Sequence, residues 1–165
     1  KLTVVEESLQ EDSQCVIDIL SRFIFESKVL AEPISKPLSA TDMCNFMLEA
    51  QDESYGDGLD PEFKHPYMWL CKSHYYSAGL NFYNWPYAFG LLYGKGLYKQ
   101  YQKNKEEFVK NYDQMLMNTG MMSVEDVAAA MNIDVTKKEF WLESLRFIEE
   151  DIELFEQLLK ETKTI

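Results

Sequence analysis

Val16-Ile-Asp-Ile-Leu-Ser-Arg-Phe-Ile-Phe-Glu-Ser-Lys-Val29 repeats hydrophobic side chains at intervals of three and four residues. That spacing places them on one face of an α-helix, because such positions lie above one another on successive turns. The pattern predicts a first helix from about Thr3 to Leu30. Pro33 and Pro37 follow it and are expected to end it.

Helical signals continue along the rest of the chain, and no stretch predicts a strand. Ser39 with Asp42 is typical of a capping box, Pro66 to Tyr76 predicts a short helix, and Gly120 is a stop signal. Further helices are expected to begin near Pro86, Lys105, Ser123 and Thr136, the last with a capping box to Glu139. The methionines near Gly120 are expected in the core: Met115, Met117, Met121 and Met122. We therefore expect an all-α fold, a bundle of about six to seven helices that forms a single helical domain over residues 1–165.

Composition and charge exclude several classes of function. The chain has 165 residues, of which 46% are hydrophobic, and a formal net charge of −12. That charge argues against nucleic acid as a partner, because phosphate binding requires a cationic face. No hydrophobic run approaches the roughly 18–20 residues of a membrane span. Three widely spaced cysteines favour a reducing, cytoplasmic location over a disulfide-linked secreted fold.

Residues 65–90, which we call the aromatic segment, carry most of the chemically useful side chains. They include two histidines, five tyrosines and two tryptophans, with the small residues Ser77-Ala-Gly79 near the middle. Buried tyrosine hydroxyls need hydrogen-bond partners. Several tyrosines beside a histidine therefore predict a polar, hydrogen-bonding surface.

Four interpretations of the aromatic segment are open from the residues alone. His65, Cys71 and His74 could hold a metal, although their spacing matches no common zinc pattern. Cys71 could be a nucleophile with His74 as its base, but nothing nearby suggests an oxyanion hole. The segment could also be an ordinary pair of aromatic-rich helices. Phenols and imidazole that donate hydrogen bonds to a carbonyl oxygen fit these residue types best.

Four stretches together carry a resemblance to a known family. They are His74-Tyr-Tyr-Ser-Ala-Gly-Leu-Asn-Phe-Tyr83-Asn-Trp-Pro-Tyr87-Ala-Phe-Gly90, Phe23-Ile-Phe-Glu26, Met47-Leu-Glu-Ala-Gln-Asp-Glu-Ser-Tyr-Gly56 and Thr119-Gly-Met-Met-Ser-Val-Glu-Asp126. In this order they resemble the C-terminal region of oligoendopeptidase F and its relatives in the thimet-oligopeptidase group.

The resemblance implies a zinc-dependent metalloendopeptidase that hydrolyses short peptides within a larger, mostly helical fold. In that family a His-Glu-x-x-His helix and a later glutamate bind the zinc. Only His65 and His74 occur here, so the pattern is missing. We therefore expect the catalytic half of the same chain to lie upstream, and we expect this part to bind no metal and to be inactive alone.

Site residues follow from the resemblance position by position. His74, Tyr83 and Tyr87 would hydrogen-bond the scissile carbonyl and stabilise its oxyanion, as catalytic residues. Tyr76 and Trp85 would join them in binding substrate. His65 and Cys71 match no family role and are taken as structural.

Short peptides are the partners that this resemblance implies. A surface that lacks the other half of a channel would be exposed or covered by a second copy, so a homodimer is a further expectation. The alternative function is a non-enzymatic helical interaction module.

Overall fold

The computed structural model describes residues 1–163, and every regular element in that range is helical. This confirms the expected all-α fold class. The α-helices are α1 Leu2–Ser13, α2 Ile19–Ala31, α3 Ala40–Tyr55, α4 Trp85–Lys103, α5 Lys105–Asn118, α6 Val124–Ala129 and α7 Lys138–Lys163. None of these helices combines the length and the apolar character that crossing a bilayer requires.

Helices α1 and α2 are joined without a break by a π-helical segment, Gln14–Asp18. The long first helix is therefore present, with one widened turn that hydrophobic spacing did not predict. A π turn disturbs the regular backbone pairing of a helix. Helix α3 supplies partners here, because the Ser54 hydroxyl donates to the Ile17 carbonyl and the Tyr55 hydroxyl donates to Asp18 Oδ1 at 2.8 Å.

The residues group into two compact units, which we describe separately. The N-terminal unit is Gln10–Phe89, and the C-terminal unit comprises Lys1–Leu9 and the residues from Gly90 onward. The assignment of residues 1–165 to one helical domain stays a prediction. The aromatic segment lies in the N-terminal unit except for its last residue.

The core of the N-terminal unit forms where α2 packs against α3, around the buried residues Phe25, Met47 and Ala50. The predicted capping box at the start of α3 is confirmed. Ser39 Oγ accepts a hydrogen bond from the Asp42 backbone N–H at 3.2 Å, and Asp42 Oδ2 accepts one from the Ser39 backbone N–H at 2.9 Å. The cap fixes where α3 begins and hence which of its residues face α2.

The chain between α3 and α4 contains short 3-10 helices. The α-helix expected from Pro66 to Tyr76 is wrong, because Met68–Cys71 and Ser73–Tyr76 form two 3-10 helices with an extended residue between them. The buried Gln51 side chain holds the start of this region, accepting from the His65 N–H at 2.9 Å and donating to the His65 carbonyl at 3.1 Å. Cys71 and His74 therefore do not share one face of an α-helix.

The C-terminal unit has its own core of Leu97, Met115, Ala128, Met131 and Ile133. Gly120, with φ of 80°, follows the end of α5 and confirms the predicted stop signal. The capping box at Thr136 is wrong: its hydroxyl donates to Asp134 Oδ1 at 2.6 Å, and α7 begins at Lys138. Of the four methionines expected in the core, Met115 is buried and the others are exposed: Met117, Met121 and Met122.

Gly96 provides a test of packing in the C-terminal unit. A Cβ at this position would lie 2.5 Å from two atoms of the Phe140 ring and 2.9 Å from Ser144 Oγ, whereas a Cβ at Gly94 would meet nothing within 4 Å. Both glycines lie inside α4, so alanine brings a similar gain in helix propensity at each. Overpacking should make Gly96→Ala less stable than Gly94→Ala by about 1–3 kcal/mol, as measured by urea unfolding. Equal stability of the two variants would contradict this packing.

Tyr55 predicts how the stability of the N-terminal unit changes at alkaline pH. Burial, followed by its hydrogen bond to Asp18, raises the pKa of Tyr55 from 10.0 to about 12. The folded state holds this proton more tightly, so the stabilisation is complete below pH 10.0 and is lost as the pH rises towards about 12. Tyr55→Phe should therefore lose less unfolding free energy over this range than the wild type. Urea unfolding across the range measures this, and an equal loss in both proteins would contradict it.

Candidate functional site

The carboxylate of Glu26, on α2, is buried beneath the loop that precedes α4. Its side chain belongs to a residue only 6% exposed. Oε1 accepts a hydrogen bond from the Phe82 backbone N–H, and Oε2 accepts one from Asn84 Nδ2, each at 2.7 Å. A carboxylate removed from water needs such donors. These two bonds attach the loop to α2.

Phe82 adopts an unusual backbone conformation at this attachment. Its φ is 56°, in the left-handed region that aromatic residues rarely enter. This conformation costs about 1–2 kcal/mol relative to the right-handed region. The hydrogen bond from its N–H to Glu26 holds the bend, and α4 begins at Trp85, three residues later.

His74 is held by the same network. Its Nε2 lies 3.1 Å from Oδ1 of Asn84, which is 1% exposed. The His74 ring also contacts the Tyr75 ring, with 4.4 Å between centroids. The Tyr75 hydroxyl donates to the Arg22 carbonyl at 3.2 Å, and burial, then the nearby Glu26 charge, raise the pKa of Tyr75. His74 is thus fixed by one hydrogen bond and one ring contact.

Tyr83, two residues before α4, and Tyr87, in its first turn, form an exposed pair. Their rings meet edge to face with 6.1 Å between centroids, and each residue is 48% exposed. Among residues 1–163, neither hydroxyl has a hydrogen-bond partner within the protein. Both phenols are therefore available to donate to a ligand.

The structure does not link His74 directly to these phenols. Within the described chain, no hydrogen bond or ring contact joins His74 to Tyr83 or Tyr87. Asn84 connects the two parts of the site, because it follows Tyr83 in sequence and contacts His74 through its side chain. The convergence of the three groups on one point stays a prediction.

Trp85 borders a shallow apolar groove. The groove has a volume of about 220 Å³ and is also lined by residues of the first helix, including Val16, Leu20 and Phe23. Leu20 and Phe23 belong to the hydrophobic face predicted for the first helix, which we call the hydrophobic stripe, yet both are exposed. The stripe therefore covers the core at some positions and forms an open surface beside Trp85 at others.

Tyr76 borders a different depression on the N-terminal unit. This cleft of about 110 Å³ is also lined by Glu26, Trp69 and Tyr75. The Tyr76 hydroxyl donates to the Trp69 carbonyl at 3.3 Å. The two expected pocket residues, Tyr76 and Trp85, thus line separate depressions.

The possible metal ligands among residues 1–163 do not fit a zinc site. No group of three or more His, Cys, Asp or Glu side chains suited to a metal occurs in the described part of the chain. His65 Nδ1 accepts a hydrogen bond from the Tyr67 N–H at 3.2 Å, and Cys71 Sγ donates to the Met68 carbonyl at 3.1 Å. These are local contacts that stabilise turns.

Sequence reasoning missed Glu26 and Asn84 as site residues. A signal for Glu26 was present, because it lies seven residues after Ile19 and three after Phe23, in line with the hydrophobic stripe. A carboxylate at such a position is buried with partners or interrupts the stripe. No comparable pattern marked Asn84, whose partners are distant in sequence.

The network predicts a large stability loss for Glu26→Ala. Removing the carboxylate leaves the part-buried Phe82 N–H and the buried Asn84 Nδ2 without their acceptor, and one unsatisfied buried donor costs about 1–3 kcal/mol. Urea unfolding followed by circular dichroism measures this loss. Glu62→Ala removes an exposed carboxylate and should change stability by less than about 0.5 kcal/mol. A Glu26→Ala variant as stable as Glu62→Ala would contradict the network.

Comparison with known proteins supports a peptidase relationship and no more. No family model matches the chain, and no solved structure matches it. The chain is 28% identical over 139 residues to an oligoendopeptidase F homolog of Borreliella burgdorferi (strain ATCC 35210 / DSM 4680 / CIP 102532 / B31). The match covers 83% of this chain but 22% of that relative, so the chain spans about a fifth of the relative's length.

Proposed function

We propose that this chain is the substrate-binding C-terminal portion of a zinc-dependent oligoendopeptidase that hydrolyses short peptides. The observation that carries the proposal is the pair of exposed phenols, Tyr83 and Tyr87, whose hydroxyls have no partner among the described residues. Similarity to an oligoendopeptidase F homolog over 83% of the chain supports it. Together the two observations favour a peptidase over another helical protein.

The phenols are suited to a peptide carbonyl. Each hydroxyl can donate one hydrogen bond, and a donor binds a carbonyl oxygen more strongly as negative charge develops on it. Such donors stabilise the transition state more than the bound substrate, which is the requirement for catalysis. The apolar groove beside Trp85 would accept a hydrophobic side chain of the same peptide.

The described residues of this chain are not proposed as zinc ligands. They offer no group of three or more His, Cys, Asp or Glu side chains suited to a metal ion. We propose that the zinc ligands lie outside these 165 residues and that the chain alone hydrolyses nothing.

An interaction module is the second candidate, and one observation favours it. Several exposed hydrophobic residues lie close together in sequence around the end of α5: Leu116, Met117, Met121 and Met122. Flexible methionines are common on surfaces that bind other proteins. A homodimer that covers the aromatic surface where the other half of a channel is missing belongs with the peptidase proposal instead.

Phenol removal tests the peptidase proposal in the protein that carries this chain. With an internally quenched peptide, Tyr83→Phe or Tyr87→Phe should lower kcat by up to about 10²–10³-fold, the usual loss for one oxyanion donor. KM should change much less, because the interaction strengthens in the transition state. A chelator should abolish hydrolysis by the unsubstituted protein.

Tyr98→Phe is the matched control. Tyr98 is 49% exposed, contacts the Tyr101 and Phe147 rings, and lies on the same helix as Tyr87. Its substitution should leave kcat and KM unchanged. Loss of activity equal to that of Tyr83→Phe would show a general effect of removing hydroxyls. Absence of any chelator-sensitive hydrolysis would favour the interaction module.

A further inference from the structure

The contacts of Asn84 define the direction of its side-chain amide. Glu26 Oε2, at 2.7 Å from Asn84 Nδ2, is a carboxylate oxygen and can only accept. The nitrogen of the Asn84 amide must therefore face Glu26, because an oxygen there would meet a second acceptor. The amide oxygen consequently faces His74.

This direction determines the tautomer of His74. Asn84 Oδ1 can only accept, and it lies 3.1 Å from His74 Nε2, so Nε2 must carry a hydrogen. In the neutral ring the lone pair then resides on Nδ1. Nδ1 has no hydrogen-bond partner among the described residues, and His74 is only partly buried, so this lone pair can accept from a ligand.

We propose that Glu26 and Asn84 are positioning residues that keep His74 in the Nε2-protonated tautomer and make the neutral ring a hydrogen-bond acceptor at Nδ1. The group that Nδ1 accepts from is a backbone N–H of a bound peptide. The peptide part of this inference rests on the proposed function, whereas the tautomer part does not.

The inference changes the role expected for His74 from sequence. A donor to the carbonyl oxygen would need a hydrogen on Nδ1, which the neutral ring held by Asn84 lacks. Tyr83 and Tyr87 can supply donors for the carbonyl. A peptide bond carries one donor and one acceptor, and the site then offers a partner of each kind.

Nuclear magnetic resonance of the 165-residue chain tests the tautomer directly. With ¹⁵N-labelled histidine, two-bond ¹H–¹⁵N spectra distinguish the nitrogen that carries hydrogen, and His65→Gln identifies the resonances of the remaining histidine. At a pH where the ring is neutral, His74 should show hydrogen on Nε2 alone. A His74 ring with hydrogen on Nδ1 would overturn the proposal.

Two substitutions test the positioning role. Glu26→Gln keeps the shape but can offer either an acceptor or a donor to Asn84, which frees the amide to turn. Asn84→Ala removes the acceptor. Either variant should raise the population of the Nδ1-protonated tautomer, and Glu62→Gln, which makes the same change at an exposed position, should not. If both site variants fold and keep the tautomer populations of the wild type, the positioning role of Glu26 and Asn84 is overturned. If either variant fails to fold, the spectrum of the wild type still decides the tautomer.

A pair of peptides tests the acceptor role. The labelled chain is titrated with a short peptide and with its analogue in which the backbone N–H groups are methylated, while the His74 Nδ1 resonance is followed. The unmodified peptide should shift that resonance and bind about 2- to 12-fold more tightly, the value of one hydrogen bond. Equal binding of the two peptides would overturn the acceptor role alone. Binding of neither would overturn the peptide role of this surface, whereas the phenol substitutions decide the proposed function separately, and the tautomer result would be unaffected.

Discussion

The buried carboxylate of Glu26 is the constraint on which the site depends. Each of its oxygens receives one donor, from Phe82 and from Asn84, and a charge at 6% exposure without them would be strongly unfavourable. The requirement for those donors outweighs the cost of about 1–2 kcal/mol for a left-handed aromatic residue at Phe82. The path of the loop before α4, and with it the positions of Tyr83 and His74, follows from satisfying one carboxylate.

The aromatic segment is divided between core and surface by the packing beneath it. Tyr75 packs on Phe25, with 5.3 Å between ring centroids, and so joins the core that α2 and α3 form. Tyr83 and Tyr87 follow the bend at Phe82 and remain exposed. A segment rich in tyrosine thus contributes both to stability and to a surface with free hydroxyls.

Local signals predicted the long elements of this fold, and contacts between distant residues explain what they missed. Hydrophobic spacing and the Ser39 capping box gave the first helix and the start of α3 because both act within a few residues. The π turn at Gln14–Asp18 receives hydrogen bonds from the hydroxyls of Ser54 and Tyr55, which belong to another helix. The site network joins Glu26 to residues 56 and 58 positions away, so the aromatic segment and a carboxylate among the hydrophobic positions of the first helix were recognisable from sequence but the contacts between them were not.

His74 and the two phenols differ in how much conformational entropy their side chains lose when a ligand binds. His74 is already held by Asn84 and Tyr75, so little conformational entropy is lost when it accepts a hydrogen bond. The half-exposed Tyr83 and Tyr87 are held by their mutual ring contact and must lose side-chain freedom on binding. A ligand that meets only this surface therefore gains little net free energy from the phenols. Their full value requires surroundings that exclude water from their hydroxyls, since a hydrogen bond to developing charge is stronger where the local dielectric constant is low.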